Sequence, residues 1–217
     1  MLQPPSSTYG TLPPHLVPGV IPCLVPYWDQ QSFLALEGRY SEAYGFHIRD
    51  DAYLAAFNEW LPRKWAYRGD PPGPVLLPDM LPESSWQDNL RTRLTDKEWD
   101  RLRRFCYMAA GNTCVACGSR GEPHVEAHEV WRFDIKTKIQ TLRGLNCFCP
   151  TCHKSKHVGY ANRMRMLPQV YGRLMWLNDW DEKRLKKELS GVLDRQAELS
   201  AVEWNLDLRF LRTYGVR

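Results

Sequence analysis

Two Cys-x-x-Cys pairs, Cys114/Cys117 and Cys149/Cys152, are separated by 31 residues in this chain. A pair of this kind puts two thiols on one side of a tight knuckle. Two knuckles complete a tetrahedral four-sulfur site closed to water, the arrangement of structural zinc. Of the seven cysteines, five lie between 114 and 152. The first residues lack a basic segment followed by an apolar one, and no apolar run reaches the roughly eighteen residues of a membrane span. The expectation is a cytoplasmic protein without membrane contact, in which clustered cysteines bind metal rather than form disulfides. Cys106 and Cys147 are expected in the core.

Charge is unevenly placed. Residues 1–90 carry 5 Lys and Arg against 10 Asp and Glu, a net of −5, whereas residues 91–175 carry 16 against 7, a net of +9. The basic excess coincides with the cysteine pairs, so a polyanion such as nucleic acid is the expected partner. The acidic, proline-rich N-terminal third suggests a surface for a protein partner as the alternative.

The pattern divides the chain into a proline-rich arm with a partly helical acidic segment (1–75), a proline-rich connector (76–94), a zinc-stapled unit (95–175) and a C-terminal helix and tail that pack on the core (176–217). Prolines in 1–26 predict an extended arm. In DDAYLAAFNEWL, Asp50 or Asp51 offers a helix cap, with Leu54, Phe57 and Leu61 at helical spacing. TDKEWDRLRRFCYMAAG, 95–111, predicts a helix opened by the Thr95–Glu98 capping box and stopped by Gly111. Residues 124–133 and 138–142 suit two strands. CHKSKHVGYANRMRM suits a helix from Cys152 onward, DEKRLKKELSGVLDRQAELS a second, and EWNLDLRFL a returning tail.

His153 and His157, at i and i+4, share a helix face and can chelate one ion. His128 comes from the strand between the two cysteine pairs. Lys154 and Lys156 flank the helix histidines, with Arg163 and Arg165 beyond; Arg132, Lys136, Lys138 and Arg143 occupy the connection between the strands. These cations are candidates for phosphate contacts that give affinity and register without reading sequence.

CVAC…EAHEVW…GLNCFCPTCHKSKH resembles the HNH endonucleases, and HEVWRFD, LRGL and CPTCHKSKHVGYA resemble a bacterial and phage group of HNH-like proteins. The likeness covers roughly residues 80–212. It implies an α+β fold: a ββα-metal unit with a four-cysteine structural zinc, flanked by helices and an extended arm. It implies cleavage of phosphodiester bonds in DNA, with His128 as the general base and His153 and His157 holding Mg2+, Mn2+ or another divalent ion. The chain departs from the usual motif at Ala127, where an Asp or His ligand precedes the base, and at the central Asn, which aligns near Gly144 or Leu145 with Asn146 beside it. Glu126, on the same strand face as His128, is the candidate for the missing carboxylate, ahead of Glu129 and Asp134. If all three histidines bind one ion, no free base remains and the unit is a second zinc site or an inert remnant; the alternative function is a catalytically degenerate HNH-like module that binds nucleic acid or a partner protein.

Overall fold

Alternating apolar and polar residues in EAHEVWRFD and IQTLRGLNCF make the central hairpin. In the computed structural model, which describes residues 19–49, 52, 54–66, 73–79, 81–85, 90–120 and 124–215, the chain is mixed α+β. In chain order the strands are β1 (Val20–Pro22), β2 (Arg39–Ser41), β3 (Gly45–Arg49), β4 (Glu126–Asp134), β5 (Ile139–Phe148) and β6 (Asn205–Asp207). The α-helices are α1 (Gln30–Ala35), α2 (Leu90–Arg93), α3 (Asp96–Ala109), α4 (Pro150–Lys156), α5 (Val158–Arg163), α6 (Leu167–Asn178) and α7 (Glu182–Ser200).

β4 and β5 pair antiparallel, with His128 opposite Asn146 and a register shift between Val130 and Trp131. The turn is tightened by Asp134 Oδ1, which accepts from Lys136 N at 3.0 Å and Thr137 N at 3.3 Å. The second strand runs on to Phe148, well past the expected 138–142, and so delivers Cys149 directly to the start of α4. In the tail, β6 lies parallel to β5.

α3 carries the capping box in full, Thr95 Oγ1 accepting from Glu98 N and Glu98 Oε2 from Thr95 N. Gly111 follows at φ 57°, where a Cβ would stand 2.7 Å from the Val25 carbonyl oxygen. The helix expected from Cys152 onward is interrupted. His157 adopts φ −109°, ψ 60° between α4 and α5. The Lys156 carbonyl accepts from Asp79 N at 2.8 Å just there. Val158 and Gly159 are weak helix formers, so this tertiary bond meets little resistance.

The N-terminal part differs most from expectation. β1 and β2 flank β3 in a small sheet, and residues 54–60 form a 3-10 turn rather than an α-helix. Pro62 disfavours α geometry at Leu61 and closes the segment early. Phe33 is fully buried and meets Phe46, Phe57 and Trp60 edge-on. The arm from residue 19 onward is the edge strand β1; its residues 1–18, and the proposed caps Asp50 and Asp51, lie outside the described residues.

The connector packs as part of the core. Val75 and Leu76 are buried with Phe148, Leu174, Leu177 and the paired cysteines. Asn178, at the end of α6, holds them: its Oδ1 accepts from Val75 N at 2.6 Å and Leu76 N at 3.2 Å, and its Nδ2 donates to the carbonyls of Leu76 and Leu174. Asn178→Ala leaves buried backbone groups without partners, so urea unfolding should show a loss of about 2–4 kcal/mol. A loss under about 0.5 kcal/mol would mean that these bonds do not hold the connector. Among the described residues no helix is long and apolar enough to cross a membrane.

Candidate metal centres

Cys114 and Cys117 lie on a knuckle closed by two backbone bonds, Gly118 N to Cys114 O at 2.8 Å and Cys114 N to Ser119 O at 2.6 Å. Gly118 sits at φ 78°, against Pro22 and Pro62. Cys149 and Cys152 bracket the first turn of α4, with Cys149 as N-cap and Pro150 at the first helical position, where its missing N–H costs nothing. All four sulfurs are buried and within 4.8 Å of one another. Two sulfurs bound tetrahedrally at zinc's usual ~2.3 Å stand about 3.8 Å apart; Cys117 Sγ and Cys149 Sγ are 3.8 Å apart. Hydrogen bonds from Cys114, Cys117 and Cys152 push the Cys149 thiol below its ordinary range.

Arg173 on α6 supplies a second sign. Its Nη1 is buried and has no hydrogen-bond partner among the described residues, while its guanidinium lies 5.2 Å from the Trp176 ring centre. Burial opposes its charge, yet the cysteines outweigh burial and raise its pKa. Four thiolates around one divalent ion carry a net charge of −2, which a buried guanidinium offsets. The residues fit a closed metal such as zinc.

On the hairpin side, His128 of β4, His153 of α4 and His157 just after it converge, one ring nitrogen of each within 4.8 Å of the others. The His128 ring centre is 5.1 Å from that of His153 and 4.9 Å from that of His157. Despite the helix break, Nε2 of His153 and Nε2 of His157 stand 3.2 Å apart. Two imidazoles on one ion at ~2.0–2.1 Å place their nitrogens about 3.3 Å apart in tetrahedral geometry. His153 Nδ1 donates to Glu126 Oε2 at 2.5 Å, leaving Nε2 with its lone pair, the carboxylate–histidine pairing that supports metal ligands. Burial pushes His153 and His157 down, His157 to about 4, so both are neutral near pH 7, as ligation requires. Glu126 thus reaches the site as the partner of His153. Glu126→Gln should weaken a second divalent ion about 10- to 100-fold and leave the cysteine-bound metal in place. Equilibrium dialysis with Mn2+ checks this; unchanged affinity would remove Glu126 from the site.

Glu129 and Asp134 are elsewhere. Glu129 accepts from Leu90 N and Trp131 Nε1, and Asp134 closes the hairpin turn. Asn146 stands directly across from His128, and its Oδ1 accepts from Arg63 Nη2 at 3.3 Å. Ala127 packs near Cys106 and Cys147 on the other face of the hairpin. Both of those cysteines are buried core residues.

The basic residues split into two groups. Arg132 and Arg143 are exposed midway along the hairpin, and Lys136 and Lys138 are exposed at its turn. At ~3.3 Å per residue, that turn lies roughly 20 Å along the strand from His128. Lys154 lies in α4, Arg163 ends α5 and Arg165 comes just after it. Lys156 is no free cation: its Nζ donates to Asp79 Oδ1 and to the Leu77 carbonyl, both at 2.7 Å. Sequence reasoning missed Asp79. Its Oδ2 lies 2.8 Å from His128 Nε2.

No family model matches the chain, and neither a curated protein nor a solved structure matches it.

Proposed function

We propose that this chain is a metal-dependent endonuclease of the HNH type, a ββα-metal unit stapled by a structural zinc on Cys114, Cys117, Cys149 and Cys152, hydrolysing phosphodiester bonds in DNA. The observation that carries this reading is the convergence of His128 with His153 and His157 on a hairpin and helix that share the four-cysteine knuckles. His153 and His157 would hold a divalent ion. When bound, that ion supplies positive charge to grip the scissile phosphate and stabilise the departing 3′ oxygen.

The protein's own residues do the rest. Glu126 fixes the His153 ring. His128 takes a proton from water as the water oxygen bonds to phosphorus; the bond from phosphorus to the 3′ oxygen then breaks, and its electron pair leaves on that oxygen. A neutral imidazole suits this task because one ring nitrogen offers a lone pair to the water proton while the other keeps its own proton. Lys154, Arg163 and Arg165 would bind neighbouring phosphates, a contribution that weakens with salt.

A second reading is favoured by Ala127, which offers no ligand where the motif has one and packs on the opposite face. In that reading the unit binds nucleic acid or a partner protein without cutting. Incubating supercoiled plasmid with the zinc-loaded protein in Mg2+, Mn2+, Ni2+ or Zn2+ separates the two. Nicked circles in at least one ion, suppressed by chelation, are expected. Intact plasmid in all four, with salt-sensitive binding retained, supports the binding module.

A further inference from the structure

Asp79 lies in the connector, 49 positions before His128, yet it is fixed at the histidine cluster by three bonds. Its Oδ2 meets His128 Nε2 at 2.8 Å, its Oδ1 meets Lys156 Nζ at 2.7 Å, and its backbone N donates to the Lys156 carbonyl at 2.8 Å. Lys156 is tied in turn to the Leu77 carbonyl. Just upstream, Val75 and Leu76 are held by Asn178. A solvent-exposed ion pair would mean little here. This carboxylate, its own side chain 38% exposed, instead meets two largely buried partners directly, the His128 side chain at 7% exposure and the Lys156 side chain at 12%. Burial alone would raise the Asp79 pKa; the His128 hydrogen bond and the Lys156 charge outweigh it and hold the group below the usual carboxylate range.

An ionised carboxylate can only accept, so His128 must carry its proton on Nε2. The same rule applied to Glu126 puts the His153 proton on Nδ1. Two carboxylates, one from β4 and one from the connector, therefore select opposite tautomers in neighbouring rings. His153 presents Nε2, and His128 presents Nδ1.

We infer that Asp79 is the positioning residue of His128: it fixes the ring and its Nε2 proton, leaves Nδ1 to take the proton from water, and offsets the charge of the imidazolium that forms. This inference rests on the reading of His128 as general base. It makes the connector a working part of the site, so the ββα unit alone is incomplete.

The test uses the full-length, zinc-loaded protein and its Asp79→Asn and Asp79→Glu variants. Ring 15N resonances of His128, assigned by their absence in His128→Ala, report the tautomer, and plasmid nicking reports kcat and KM. In the wild type, His128 is expected with Nε2 protonated and Nδ1 bare. Asp79→Asn should lower kcat on the order of 100- to 1,000-fold, with KM and Mn2+ affinity changed by less than about threefold, and the single ring tautomer should be lost. Asp79→Glu should recover part of the rate. A wild-type spectrum with the proton on Nδ1 overturns the inference whatever the variants do. So does an Asp79→Asn protein with wild-type kcat, or one whose rate falls only as far as its Mn2+ affinity, which would make Asp79 a ligand. A wild type that cuts no DNA defeats the nuclease reading instead, and the ring signal then tests the pairing alone.

Discussion

Cys149→Ser is expected to unfold the C-terminal part of the chain and release its zinc. Cys149 directly follows β5 and is both the N-cap of α4 and one corner of the four-sulfur cluster. Apparent free energies of structural zinc binding run to about 10–16 kcal/mol, as large as the ~5–15 kcal/mol by which a typical domain is stable at all. The buried surroundings are built on the cluster: Phe148, Ala161, Val170, Leu174 and Leu177 pack around it. Serine cannot replace the thiolate as a ligand, and three cysteines with Arg173 beside them would remain buried without the ion. Circular dichroism melting with metal analysis checks this. A soluble variant melting at the wild-type temperature with one zinc retained would remove the four-cysteine assignment.

His128→Ala should abolish cutting and spare both the fold and DNA affinity. General base catalysis is worth ~10²–10⁴-fold, so single-turnover cleavage should fall by about that factor. The protein should tolerate the change because Asp79 keeps Lys156 when the imidazole is gone, so no carboxylate is orphaned. Phe148, whose ring centre lies 5.7 Å from that of His128, is held from elsewhere in the core. Binding measured by titration into labelled duplex should change less than about twofold. Cleavage that persists at the wild-type rate would mean another base, and a parallel loss of melting temperature would mean a structural role for the ring.

What could be read from the residues beforehand was local. The knuckles were legible because both partners of each pair lie three positions apart, and the closure between pairs follows from the valence of one ion. The helix histidines were legible for the same reason, and they still meet although the helix breaks between them at Lys156 and His157. The capping box of α3 was legible because it joins residues 95 and 98.

The rest depended on distant chain. β1, β2 and β3 are three to five residues long, too short for alternation to declare itself, and are held by the Phe33 aromatic cluster. The connector has no periodicity to read. Its prolines suggested a spacer, and three hydrogen bonds from Asn178, about a hundred residues away, tie it into the core. Asp79 was invisible for that reason. Lys156 looked like a phosphate contact because its partner could not be foreseen. Asn146 was within one or two positions of its expected place, and the register shift between Val130 and Trp131 decided which residue faces His128.

An ion held by the histidine cluster should enable His128 to drive hydrolysis. The most direct test is to titrate Mn2+ into the zinc-loaded protein and follow bound Mn2+ and plasmid nicking on the same samples, with His153→Ala alongside. One Mn2+ per chain beyond the zinc is expected, with a nicking rate that rises in proportion to its occupancy and loss of both in the variant. Saturation of that site with no nicking at any concentration, or nicking undiminished in His153→Ala, would contradict it.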